Sequence, residues 1–234
     1  MSNIARTEEF ENAVLYFGDC EEILPSVAWY SDALVTDPPY KFNTSGGGKF
    51  RKERPYLDEI ANQDLDKGFS MDLIINPFWF QSIVIFCCNN QLDKILPRVS
   101  GLYERFAVCF WEKNNPMPVA NKHYVPNIEP YVHAWNKGAH PLGTIEQKRR
   151  TFRSNNGKSE FDHPTVKPVP LMEKILTNVN GEKIIDPYMG TGSTGIACLK
   201  QGKYFSGIEK NQKYFDIACK RIENIQSELK NIVD

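Results

Sequence analysis

The sequence has no long apolar run. Stretches such as Ile83 to Cys88 are the longest of their kind, whereas a bilayer demands about 20 consecutive apolar residues. No membrane association is therefore expected. The opening residues, Met1 to Glu11, are polar and partly acidic and lack the apolar core of a secretory signal, so a cytoplasmic location is expected. Paired cysteines are missing too. Cys20, Cys87, Cys88, Cys109, Cys198 and Cys219 form no C-x-x-C pair, and most sit in apolar stretches. They read as buried reduced thiols. The four histidines are scattered, so no metal is expected. Charge of one sign is not in excess: 28 Lys and Arg stand against 29 Asp and Glu, a net −1. That argues against a protein that coats nucleic acid indiscriminately. It leaves room for an enzyme with a local basic face. No repeat and no low-complexity tract is present.

What is there is the material of one domain, residues 1–234. Short strand-like runs alternate with helical patterns, which predicts an α/β sheet covered on both faces. Strands are expected at Ala13–Phe17, Ala33–Thr36, Ser82–Phe86, Phe106–Trp111, Pro130–Trp135, Lys183–Ile185 and Tyr204–Ile208. The fourth and fifth have no helix between them and should pair antiparallel at one sheet edge. Helices are expected at Cys20–Val27, Gln91–Val99, Val169–Val179, Ser193–Gln201 and Asn211–Lys230, the last capped by Asn211. Two long polar stretches, Lys41 to Phe69 and Lys137 to His163, read as loops, and loops of that length are usually functional or mobile. They carry the two basic clusters of the chain. One holds Lys49, Arg51, Lys52 and Arg54, the other Lys148, Arg149, Arg150, Arg153 and Lys158.

Two motifs carry chemistry. In Lys183 to Gly195, a strand runs through Asp186-Pro187-Tyr188-Met189 into Gly190-Thr191-Gly192-Ser193-Thr194-Gly195, a G-x-G-x-x-G turn that lets backbone approach a ligand. The next strand ends at Glu209, where a carboxylate can accept from both hydroxyls of a ribose. A dinucleotide or S-adenosylmethionine would suit this unit. Asp186 at the strand end favours the second, since a carboxylate repels a pyrophosphate and suits an ammonium. In the other motif, Ala33 to Thr36 leads into Asp37-Pro38-Pro39-Tyr40. Consecutive prolines keep the chain extended. The Asp37 carboxylate and Pro38 carbonyl then stand as rigid acceptors for the two N–H donors of an exocyclic amino group, and Tyr40 offers a face for stacking an extruded base.

The two motifs together, the catalytic one first and the glycine turn last, resemble the permuted β-class of DNA amino-methyltransferases. Further segments fit: Gly18-Asp19-Cys20, Trp111 to Pro118, Asn127-Ile128-Glu129, Trp135 to Gly138, and His163-Pro164-Thr165-Val166-Lys167-Pro168. The resemblance runs from about Val14 to Ile222, with Tyr188 where the family usually has Phe. It implies a Rossmann-like, S-adenosylmethionine-dependent methyltransferase fold with a mixed seven-stranded sheet. It implies Asp37, Pro38, Pro39 and Tyr40 as catalytic residues. It implies a cofactor site of Asp19, Cys20, Asp37, Thr165, Lys167, Asp186, Pro187, Tyr188, Gly190, Thr191, Gly192, Ser193 and Glu209, with Lys167 paired to the cofactor carboxylate. Double-stranded DNA is the implied partner. Lys49, Arg51, Lys148, Arg149, Arg150 and Arg153 are candidates for its phosphates, and Asn155, Asn156, Arg150 and Arg153 for base edges. A short target-recognition insert at about 138–162 admits a homodimer. An Asp opening the catalytic motif goes more often with adenine-N6, a Ser with cytosine-N4. Cytosine-N4, an inactive DNA-binding relative, an RNA or protein amino-methyltransferase and a nucleotide-dependent oxidoreductase stay as alternatives.

Overall fold

The computed structural model describes residues 4–40, 69–116, 124–156 and 166–233. In chain order these form β1 (Arg6–Phe10), β2 (Ala13–Phe17), α1 (Cys20–Val27), β3 (Ala33–Thr36), α2 (Met71–Ile74), β4 (Ser82–Phe86), α3 (Leu92–Leu102), β5 (Arg105–Lys113), β6 (Ile128–Trp135), β7 (Thr151–Ser154), α4 (Val169–Asn178), β8 (Lys183–Asp186), α5 (Ser193–Lys200), β9 (Tyr204–Glu209) and α6 (Gln212–Val233). The strands make one nine-stranded sheet, ordered β1-β2-β9-β8-β3-β4-β6-β5-β7. From β2 through β4 all pairings are parallel. β6 runs antiparallel to both β4 and β5.

Central strands are apolar on both faces because helices cover both. Every residue of β3 and β4 is buried, and alternate residues enter different cores. Ala33, Val35, Val84 and Phe86 pack with Leu171, Met172 and Ile175 of α4, Ala197 of α5 and Phe215, Ala218 and Ile222 of α6. Leu34, Ile83 and Ile85 pack on the other side with Ile23 and Leu24 of α1 and Ile95 and Val99 of α3. Asp19 caps α1, its Oδ1 accepting from the Glu21 amide at 2.9 Å. Asn211 caps α6 through the Tyr214 amide at 3.2 Å, as its side chain predicts.

All seven expected strands are present, and the sheet has two more. β1 is a polar edge strand on β2, secured by Arg6, whose Nη1 lies 2.8 Å from Asp216 Oδ1 and whose guanidinium covers Phe215. β7 lies inside the stretch read as a loop, parallel to β5, so the β5–β6 pair does not form the sheet edge. Both extra strands alternate exposed and half-buried residues, and such edges carry little hydrophobic signal. Residues 138–149 are also pinned from below. The Asn178 amide donates to the Gln147 carbonyl at 2.8 Å, Lys174 Nζ to the Arg149 carbonyl at 2.5 Å and the Asn180 amide to the Gly138 carbonyl at 2.8 Å. Apart from Phe69, the expected loop at 41–69 lies outside the described residues.

Candidate functional site

Ligands of open α/β sheets collect beyond the carboxyl ends of the parallel strands, and both motifs arrive there. β3 and β8 are parallel neighbours, Ala33 opposite Ile184 and Leu34 opposite Ile185. One residue past Thr36 comes Asp37; β8 ends at Asp186. A hydrogen bond ties the two ends together: Thr36 Oγ1 donates to Asp186 Oδ1 at 2.7 Å. Thr194 Oγ1 donates to the other Asp186 oxygen at 2.7 Å, and the Tyr188 amide donates to Oδ1 at 3.1 Å. Asp186 is thus a buried clamp between β3, the turn and α5. Burial pushes its carboxyl up to about 6, against the pull of these donors.

The turn needs its glycines for different reasons. Gly190 (φ 52°) and Gly192 (φ 83°) adopt the left-handed region, which costs other residues strain. Gly195 does not bend the chain; a Cβ there would sit 2.7 Å from the Phe205 ring. It lets α5 lie close on β9. The Gly190 amide donates to Glu209 Oε2 at 3.0 Å, and the Asn211 amide to Oε1 at 2.7 Å. The Lys210 amide acts on the same carboxylate, and of its about four lone pairs at least one stays for a ligand hydroxyl. Burial raises this carboxyl to about 7. Arg221 of α6 braces the turn from behind, its Nη1 donating to the Thr191 carbonyl at 2.6 Å. The Cys20 thiol, pushed up to about 12 by burial, meets the Tyr188 hydroxyl at the start of α1. Pro187 and Ser193 belong to the same turn and helix start.

Asp37 opens a second, charged group. Its Oδ2 pairs with Lys167 Nζ. Lys167 is itself buried and reaches Glu129 Oε1 at 2.9 Å, with its ammonium 4.9 Å from the Phe86 ring centre and 5.6 Å from that of Tyr40. The Tyr40 hydroxyl lies 2.7 Å from Asp37 Oδ1 and 2.6 Å from Glu129 Oε1; its one proton serves one of them at a time. Lys113 Nζ closes the group 2.6 Å from Glu129 Oε2. Burial, helped by the like charge of Glu129, holds the Asp37 carboxyl above its ordinary value despite Lys167. Burial pushes Glu129 the same way, but Lys167 and Lys113 outweigh it and hold that carboxyl at about 2. For Lys167, burial favours loss of the proton, and Asp37 and Glu129 reverse that, raising the group.

Lys167 thus pairs with both Asp37 and Glu129. Glu129 and Lys113 were not singled out from the sequence as site residues. Glu129 had two usable signals: its place in the family-like Asn127-Ile128-Glu129, and a carboxylate at the head of a run, Pro130 to Ala134, that is otherwise buried throughout. The basic candidates divide. Arg153 stands by the site end of the sheet, its Nη2 2.7 Å from Glu112 Oε1. Lys148 lines a 520 Å³ cavity with Arg105, Trp135 and His140, at the opposite end of β5 and β6. Arg149 pairs with Glu146 at 2.7 Å, and the Arg150 carbonyl accepts from the Phe110 amide at 2.7 Å. The Asn156 amides bond to Asn115 at 2.6 and 3.1 Å. Lys49, Arg51 and Thr165 lie outside the described residues.

Comparison with known proteins agrees with this geometry. Residues 31–220 match the N6_N4_Mtase family, described as DNA methylase. The chain is 24% identical to the Type II methyltransferase M2.LlaDCHI of Lactococcus lactis subsp. cremoris, over 92% of this chain and 90% of that protein. It is 24% identical to M.HinfI of Haemophilus influenzae, over 93% of this chain and 70% of that protein. The crystal structure of an M1.HpyAVI–SAM complex superposes with TM-score 0.66 and 27% identity, covering 89% of this chain and 98% of that one. The cytosine-N4-specific PvuII DNA methyltransferase superposes with TM-score 0.65 and 14% identity, covering 98% and 97%.

Proposed function

The chain belongs to the N6/N4 DNA methylase family, and from that premise we propose that it methylates the N6 amino group of adenine in double-stranded DNA. The coarser statement is secure: it is an S-adenosylmethionine-dependent DNA amino-methyltransferase. The finer one rests on Asp37, the carboxylate that opens the catalytic motif and stands with Tyr40 beside the glycine turn. The residues suit the cofactor. Glu209 has spare acceptor capacity in a buried setting for ribose hydroxyls, the left-handed Gly190 and Gly192 bend the strand end back to Glu209, and Asp19 and Cys20 lie at the neighbouring helix start. When bound, S-adenosylmethionine supplies an activated methyl group on a sulfonium, a good leaving group.

The chain's own residues hold and orient the acceptor. Asp37 and the Pro38 carbonyl accept the two amino N–H groups, and Pro39 stiffens the segment. Pairing both protons draws the nitrogen toward a tetrahedral shape and points its lone pair at the methyl. Holding the two partners in line is a proximity effect worth several kcal/mol. Once the methyl has passed to the nitrogen, Asp37, already accepting one of its N–H groups, would be the residue placed to take the proton that the nitrogen sheds. Stacking on Tyr40 offsets part of the cost of extruding the base. Arg153, with Lys49, Arg51, Arg149 and Arg150, is proposed to meet the phosphates, and Asn155 and Asn156 the base edges, the last from a recognition insert at about 138–162; Lys148, at the far end of β5 and β6, is left out of that face. A homodimer would extend the sequence that so short an insert reads.

The test is product analysis. Duplex DNA is methylated by the purified protein, digested to nucleosides and compared with N6-methyldeoxyadenosine and N4-methyldeoxycytidine standards. The first product supports the reading. The second replaces adenine with cytosine while keeping the site.

A further inference from the structure

We infer that Glu129 is a positioning residue for methyl transfer: it holds the Lys167 ammonium and the Tyr40 hydroxyl so that Asp37 can exchange Lys167 for the target amino group. The inference rests on the reading of Asp37 as the amino-group acceptor. Lys167 sits on Asp37 Oδ2, one of the oxygens an arriving N–H requires. The exchange therefore needs Lys167 to release Asp37 without becoming a buried charge that lacks a partner, an arrangement that is strongly unfavourable. Glu129 supplies that partner. Its Oε1 is already 2.9 Å from Lys167 Nζ, and its Oε2 is fixed by Lys113 at 2.6 Å.

The charges close on this account. Lys113 and Lys167 balance Asp37 and Glu129, and all four come from separate places in the chain: β5, the segment before α4, the end of β3 and the start of β6. Tyr40 bridges the two carboxylates. Among the described residues, Cys87 and Asp186 also lie within reach of the Asp37 charge. A neutral amino group entering at Asp37 leaves this balance unchanged, and Lys167 has only to shift its weight from one carboxylate to the other.

The experiment compares wild type with Glu129→Gln, Glu129→Asp and Lys113→Met in steady-state methylation of duplex DNA from pH 5 to 9, with cofactor affinity measured by calorimetry. In Glu129→Gln, Lys167 is left with Asp37 alone and grips it. The expected result is a fall in kcat of about 10- to 100-fold, with cofactor Kd little changed. Loss of a like charge near Asp37 should also move the acidic limb of kcat to lower pH. Lys113→Met removes a cation instead and should move that limb to higher pH. Glu129→Asp should restore the limb and part of kcat. An unchanged limb in both charge-altering variants overturns the inference, as does a loss of kcat matched by equal loss of cofactor binding. Should Glu129→Gln fail to fold, the direction of the Lys113→Met shift still decides. A wild-type protein that transfers no methyl to either base would instead refute the functional reading.

Discussion

The two halves of the site are built differently. The half proposed for the cofactor, around Asp186, the glycine turn and Glu209, is held by short-range backbone geometry and by hydrogen bonds between adjacent strands β3, β8 and β9. The half proposed to face the base is held by charge. Asp37, Tyr40, Glu129, Lys113 and Lys167 gather from distant parts of the chain and satisfy one another. A cradle can be preformed by backbone. A pocket that must trade partners during the reaction needs side chains with more than one place to bond.

This contrast can be broken by single changes. The largest effect should come from Asp37→Ala. Loss of the acceptor should lower transfer by about 10²–10⁴-fold, while calorimetry finds cofactor affinity nearly intact. Normal turnover would remove Asp37 from the mechanism. Thr36→Val cuts the bond between the halves and leaves buried Asp186 short of a donor. Stability measured by denaturant should fall by about 1–3 kcal/mol. Gly192→Ala strains the cradle alone. It places a side chain in the left-handed region, with its Cβ 3.2 Å from that of Ala218. A loss of about 1–2 kcal/mol in stability should accompany weaker cofactor binding.

The smallest effect is in pH. Burial raises the Glu209 carboxyl to about 7 and that of Asp186 to about 6 in the folded protein. Both lie above the unfolded values near 4, so the stability they contribute is present at low pH and is lost as pH rises through 6 to 7. Ligand hydroxyls on Glu209 favour its charged form. The rise in Tm given by S-adenosylmethionine should therefore grow between pH 6 and 8. A cofactor effect that is flat across that range would argue that Glu209 does not meet the ribose.

The same contrast explains what could be seen in the sequence. The cofactor half was legible because its signals are local: Gly190 and Gly192 at a strand–helix junction, Glu209 at the next strand's tip, Asp19 and Asn211 at helix starts. Even there, the spacing of Gly195 suggested ligand approach, whereas its task is packing on Phe205. The central strands were legible from their unbroken burial. In the other half, Asp37-Pro38-Pro39-Tyr40 was legible from the residues themselves, and Lys113, Glu129 and Lys167 only through the family-like segments that hold them. Nothing in the spacing of Lys113, Glu129 and Lys167 announces that they meet, because sheet order brings them together and sequence order does not. β1 and β7 escaped notice because polar edge strands resemble loops.

The central claim concerns one small space: the target amino group is held by Asp37 and the Pro38 carbonyl beside the cofactor turn. The direct measurement is a crystal structure of the protein with a non-reactive cofactor analogue and a duplex carrying the target base. The account predicts the amino nitrogen within hydrogen-bond distance of both acceptors, with Lys167 moved onto Glu129. A base seated elsewhere while Lys167 still grips Asp37 would contradict it.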